Sequence, residues 1–230
     1  MSPNKALEAN GMNAGEIVTV FCAIDDVLKG HGHQSDVRAR VSDAEVLTVA
    51  VVAARFFQNH HERALWVLQG MGYLTGRLST SRFNRRLHRL SDALALVVQV
   101  LMELGRQGQV YVIDSLPMAV CKRVRASRCK KVPGRAFCGY CAAKKEKFFG
   151  WRLHLICTPA GVPIAFEMLP ASLHDLTPIH ELTYELPQGA VVFADKAYNM
   201  LAEERSIFDA CGVRLIPIRR VNMTPPSLDG

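Results

Sequence analysis

No apolar stretch in this chain approaches the roughly 20 residues that a bilayer-spanning helix needs, so a membrane protein of that kind is not expected. The opening residues, Met1-Ser-Pro-Asn-Lys5, lead into polar sequence rather than a continuous apolar run. A secretory leader is therefore not expected, and a cytoplasmic protein is. Cysteines number seven, an odd count without a secretion signal, which argues for reduced thiols rather than a disulfide framework. Internal repeats and low-complexity tracts are absent. Acidic residues are scarce over one long stretch. Between Ala119 and His154 the only acid is Glu146, against eleven basic side chains, among them Lys122, Arg123, Arg125, Lys144, Lys145 and Lys147. Over the whole chain, 28 Lys and Arg against 21 Asp and Glu give a formal charge of +7. So one-sided a segment either attracts polyanions in a salt-dependent way or is a solvated basic loop.

What is present is enough apolar material for one large or two small domains: 230 residues, 49% hydrophobic. The first hundred residues read as helices. Ile17, Val20, Phe21, Ile24, Val27 and Leu28 recur at helical spacing over Glu16–Leu28. Ser42 and Glu45 have the capping-box spacing and open a helix to about Phe57. Further helices are expected over His60–Gly70, Ser81–Leu90 (capped by Ser79 or Thr80) and Asp92–Leu104. The last is strongly apolar and suits a domain core or a dimer interface. Arg82, Arg85, Arg86 and Arg89 stand at i, i+3, i+4 and i+7 of one helix, a basic face for DNA or for solvent. With the helix and Gly-containing turn before it, this segment resembles a helix-turn-helix.

From Gln107 the pattern changes to strands at Val110–Leu116, Phe148–Thr158, Val162–Met168, Val191–Ala194 and Val213–Ile218. Helices are expected over Leu176–Leu186 and Met200–Cys211, the second ended by Gly212. The expected division is a helical N-terminal domain over 1–106, an α/β core over 107–221 and a disordered tail over 222–230, with residues 1 to about 14 frayed.

Two of these strands end on an aspartate: Val110-Tyr-Val-Ile-Asp114 and Ala190-Val-Val-Phe-Ala-Asp195. A carboxylate at the end of a buried strand is costly unless it binds a cation, accepts hydrogen bonds or reaches water. If the strands are neighbours, Asp114 and Asp195 converge and can hold a hard divalent cation such as magnesium. Taken singly, each aspartate is equally a turn former. Cys138-Gly-Tyr-Cys141, with Cys121 and Cys129 upstream, is a zinc candidate whose spacing is not that of a common zinc ribbon, so free thiols are expected. His174 and Asp175 follow the third strand, with His174 read as a helix cap. Lys196 and Tyr198, just past Asp195, either touch a phosphate or simply pack and solvate.

In order along the chain, Asp114-Ser-Leu-Pro117, Phe149-Gly-Trp-Arg-Leu-His154-Leu, Leu173-His-Asp175 and Ala194-Asp195-Lys-Ala-Tyr198 resemble the DDE transposases of bacterial insertion sequences, of the IS-four type. The resemblance covers about Val110 to Arg220. It implies a ribonuclease-H-like mixed sheet and DNA cleavage and strand transfer with two magnesium or manganese ions. It also implies double-stranded DNA as partner, both element ends and target, in a nucleoid-associated protein that can form a homodimer. Asp114 and Asp195 match the first and second catalytic acids. The third, a glutamate on a later helix, has no match: Glu203 and Glu204 fall on the helix straight after Asp195, and Asp229 lies in a proline-containing tail. The resemblance thus implies a truncated transposase with impaired activity. Two alternatives stand beside it: a non-catalytic DNA-binding remnant or regulator, and a zinc-stabilised nucleic-acid-binding module.

Overall fold

The structure is a computed structural model, described at residues 11, 13–142 and 144–219. The expected tail over 222–230 and all but the last residues of the frayed N-terminal segment lie outside the described residues. The chain divides into two compact units, with the division between Leu101 and Met102.

The first unit is built from helices α1 (Ala14–Gly30), α2 (Asp43–Phe56), α3 (His61–Gly70), α4 (Thr80–Arg89) and most of α5 (Ser91–Gly105). Three of their starts are set by side-chain caps. Asn13 with Glu16, and Ser42 with Glu45, each form a reciprocal capping box, and Ser79 caps α4. The core of the unit is α2, whose Val46, Leu47, Val49 and Ala53 are fully buried. Ile17 and Ile24 of α1, Leu65 and Leu68 of α3 and Phe83 of α4 close around it. Helix α5 is rich in leucine and valine, yet only Val97 is buried, with Ala93 and Leu94 packed against the core. One stripe of α5 therefore meets the expectation of a core helix, while Leu101 and Leu104 are exposed. The segment expected to resemble a helix-turn-helix differs from one: nine residues, Met71 to Ser79, join α3 to α4, where the motif has a turn of about three or four.

Two buried carboxylates brace this unit. Asp43 pairs with the Arg86 guanidinium and lies 3.0 Å from His33 Nε2. Glu45 accepts from the backbone of Ser42 and Thr75 and from the Thr75 hydroxyl, so it ties the start of α2 to the loop after α3. Burial works to raise the Asp43 carboxyl, but the hydrogen bonds from Arg86 and His33 outweigh it and hold the group below its ordinary value.

The second unit is a mixed sheet with helices on one face. Its strands are β1 (Val110–Lys122), β2 (Cys138–Cys141), β3 (Glu146–Cys157), β4 (Pro163–Pro170), β5 (Val191–Ala194) and β6 (Arg214–Pro217). They run in the order β2-β3-β1-β5-β6, with β4 also paired to β3. Strands β1, β3 and β4 are antiparallel neighbours; β5 and β6 add in parallel, through crossovers that contain α6 (Ile179–Tyr184) and α7 (Leu201–Cys211). Tyr111, Ile113, Ile156, Val192, Ala194 and Leu215 face Ile179, Leu182 and Ile207 in one apolar layer. The alternate positions Val112, Phe166, Phe193 and Ile216 stay nearly half exposed. Strand β1 runs six residues beyond its expected end and carries a bulge at Val120, opposite Gly150. A Cβ at Gly150 would sit 2.3 Å from the Met118 carbonyl oxygen, so only glycine fits there.

The Asp43 contacts yield a pH prediction. The folded pKa lies below the unfolded one, so the stabilisation is complete above about pH 5 and is lost as pH falls through the carboxylate range. Asp43→Asn should cost the helical unit about 2 kcal/mol at neutral pH. It should also flatten the acid limb of a urea-unfolding series followed by circular dichroism. An acid limb as steep as that of the unsubstituted protein would assign that dependence to other carboxylates.

Candidate active site

The apolar run before each aspartate forms a strand because its alternate side chains fill the layer under the helices. Strands β1 and β5 are direct parallel neighbours, paired from Val110 with Val191 up to Ile113 with Ala194. Asp114 and Asp195 are the next residues on the two strands, so they leave the paired segment at the same level. Both are exposed. Each uses one carboxylate oxygen locally: Asp114 Oδ1 accepts from the Ser115 amide at 2.7 Å, and Asp195 Oδ1 accepts from the Ala197 amide at 2.8 Å. Among the described residues neither has an ion-pair partner, and no group of three or more His, Cys, Asp or Glu side chains is placed to hold a metal. What the described residues offer a divalent ion here is two hard carboxylates. That donor type suits magnesium or manganese, with the remaining positions left to water and substrate oxygens.

Behind the aspartates lies a polar cluster that the sequence pointed to only in part. Tyr198 is fully buried and its hydroxyl lies 3.4 Å from His154 Nδ1. His154 is also fully buried, 4.0 Å from Asp175 Oδ1, and its Nε2 has no partner among the described residues. Asp175 accepts from Arg152 at 3.0 Å, and Arg152 also donates to the Tyr140 carbonyl. Burial pushes the Tyr198 phenol well above the usual range, and the negative charges of Asp175, Asp114 and Asp195 push it further. Burial likewise lowers the His154 pKa against the opposing pull of Asp175, so the imidazole is neutral at pH 7 and its contact with Asp175 is not an ion pair.

The other candidates fall in several places. Glu203 is bonded to His180 at 2.7 Å and Glu204 to Arg219 at 2.6 Å, so both glutamates of α7 are engaged away from the aspartates. His174 Nδ1 accepts from the Leu176 amide, which caps the turn before α6 rather than the helix itself, since α6 begins at Ile179. Lys196 is exposed. Lys122 at the end of β1, Arg123, Arg125, Lys144 and Lys145 on the excursion that follows, and Lys147 near the start of β3 are all exposed. In the helical unit Arg82, Arg85 and Arg89 are exposed, whereas Arg86 turns inward to Asp43 and the Val41 carbonyl. Cys138 and Cys141, expected in a loop, form the ends of the short strand β2. The Cys129 thiol is held below its ordinary value by backbone N–H groups of Val132 and Lys131, while burial and the neighbouring Cys129 push the Cys121 thiol up. Asp175, Arg152 and His154 are what sequence reasoning undervalued. The available signal was an arginine and a histidine two apart on β3, on the same edge as a later His-Asp pair.

The second unit is thus a mixed α/β unit in which two aspartates directly follow the paired segment of two neighbouring parallel strands. The family described as transposase DDE domain matches residues 104–229, more than half of the 230. The chain belongs to that family. No curated protein and no solved structure matches it.

The raised Tyr198 phenol can be checked directly. Exposed tyrosines ionise near pH 10. In an alkaline absorbance titration Tyr198 should ionise only after them, and Tyr198→Phe should remove that late step. A late step that survives the substitution would belong to another phenol.

Proposed function

We propose that this chain acts on the double-stranded DNA of a bacterial insertion sequence of the IS-four type, cutting and joining strands with magnesium or manganese at Asp114 and Asp195. The observation that carries the reading is the parallel pairing of β1 with β5. It brings to one level two carboxylates that have no ion-pair partner among the described residues, in a chain of the DDE transposase family. The order of the strands, three antiparallel neighbours and then two parallel additions, supports a ribonuclease-H-like core. The two carboxylates would hold a divalent ion, which when bound lowers the pKa of water and neutralises phosphate charge. The local hydrogen bonds from Ser115 and Ala197 orient each carboxylate through one oxygen, and the second would serve the ion. Lys196, next along from Asp195, adds a positive charge for a phosphate. The exposed lysines and arginines between β1 and β3 add a salt-dependent hold on the backbone. A pair of such chains would act as a homodimer, in the cytoplasm on the nucleoid.

Cleavage is expected to be weak. Two carboxylates hold an ion less firmly than three, and Asp175, the other acid near Tyr198, is committed to Arg152. That same observation favours a second reading, a DNA-binding remnant or regulator that occupies element ends without cutting them.

The test is cleavage of labelled duplexes carrying the ends of the element that encodes the chain, with magnesium and with manganese. Asp114→Asn and Asp195→Asn should each lower cleavage on the order of 100-fold or more, with unchanged circular dichroism. Equal cutting by the chain and both variants would remove the site assignment. Salt-sensitive binding by the unsubstituted chain with no metal-dependent cutting would select the second reading.

A further inference from the structure

The helical unit contains a feature that the family match, confined to residues 104–229, does not cover. A cavity of about 390 Å³ opens between three segments, and seven arginines line it. Arg38 and Arg40 come from the connector between α1 and α2. Arg77 comes from the connector between α3 and α4. Arg82, Arg85 and Arg89 come from the outer stripe of α4. These six are exposed and, among the described residues, none has a carboxylate within ion-pair distance. The seventh, Arg86, forms the floor, where Asp43 neutralises it. No aspartate, glutamate or lysine lines the cavity.

Holding six guanidinium groups around one concavity costs repulsion that a solvated helix face avoids by spreading its charge. The backbone beneath them is nonetheless fixed. Arg86 donates to the Val41 carbonyl at 2.7 Å, and the Thr75 hydroxyl donates to the Arg40 carbonyl. Gly76 lies so close to Arg40 that a Cβ there would come within 2.9 Å of the Arg40 Cβ. Glu45 clamps Thr75 to the start of α2. The two buried acids, Asp43 and Glu45, are thus committed to holding the loops that carry Arg38, Arg40 and Arg77. Neither is left to neutralise the cavity. Pre-positioned guanidinium forks with an open face match phosphate oxygens, which accept two N–H bonds from one arginine. Three segments converging on one concavity offer several such forks to consecutive phosphates.

We propose that this arginine-lined cavity seats the sugar-phosphate backbone of duplex DNA, as a sequence-independent clasp built from Arg38, Arg40, Arg77, Arg82, Arg85 and Arg89, with Arg86 as its structural floor. The inference rests on the reading that the chain handles DNA, and it assigns part of the hold to the helical unit.

The test is fluorescence anisotropy of a labelled mixed-sequence DNA duplex with the full chain, across a salt series. Arg40→Ala, Arg77→Ala and Arg82→Ala should each weaken binding about three- to ten-fold and lower the log–log salt slope by about 0.9. Arg63→Ala, an exposed arginine of the same unit that does not line the cavity, should leave the slope unchanged. If the cavity variants bind as the unsubstituted chain does, while a Lys144→Ala, Lys145→Ala, Lys147→Ala triple variant loses affinity, the clasp is refuted and the DNA reading stands. No duplex binding by the unsubstituted chain would overturn both. Displacement of the duplex by single-stranded RNA at equal phosphate concentration would overturn the choice of duplex DNA.

Discussion

The pairing of β1 with β5 is the constraint on which the core unit depends. Parallel neighbours are evenly bonded, so fixing Ile113 opposite Ala194 fixes every level of the pair, including the one the aspartates occupy. The pairing is held by burial: Tyr111, Ile113, Val192 and Ala194 share one apolar layer with α6 and α7. A slip of one residue would turn that set away from the helices and part the carboxylates together. Core stability and site geometry are therefore one property here.

The acids of the chain sort by what they touch. Asp43, Asp175 and Glu204 each face an arginine, and they brace loops or strands. Glu45 accepts backbone and hydroxyl donors and does the same. Among the described residues, Asp114 accepts from the adjacent Ser115 amide and Asp195 from the Ala197 amide, and neither meets an arginine. A carboxylate bonded to a guanidinium has little left for an ion, whereas one with an outward oxygen is available. The arginines sort the same way. Arg86 and Arg152 are internal ties, while the other six arginines of the cavity meet no acid among the described residues.

Much of the element pattern was legible because periodicity and caps are local. Strand β5 falls at Val191–Ala194 as its apolar run predicts, and the Ser42–Glu45 spacing opens α2 as expected. What was not legible depended on contacts across the chain. The run Val110–Ile113 reads as a buried strand, yet only Tyr111 and Ile113 are covered. Helical spacing placed four arginines on one face of α4, but Asp43, distant in sequence, draws Arg86 inward. Strand β2 escaped notice because four residues flanked by cysteines carry no periodicity; its partner β3 creates it. Of the site, the two aspartates were visible as punctuation after apolar runs. The Tyr198–His154–Asp175–Arg152 cluster was not, since its members come from three separate elements and meet only once the sheet is formed.

The antiparallel ladder of β1 with β3 keeps Asp114 opposite Leu155, although the chain leaves it between Arg123 and Lys145 before returning. The carboxylate level is set on one side of that departure and the basic surface on the other. Lengthening, shortening or exchanging the excursion would leave the spacing of the aspartates untouched. A chain arranged this way can change which surface it presents by remodelling a loop, while the aspartate pair passes unaltered from one variant to the next.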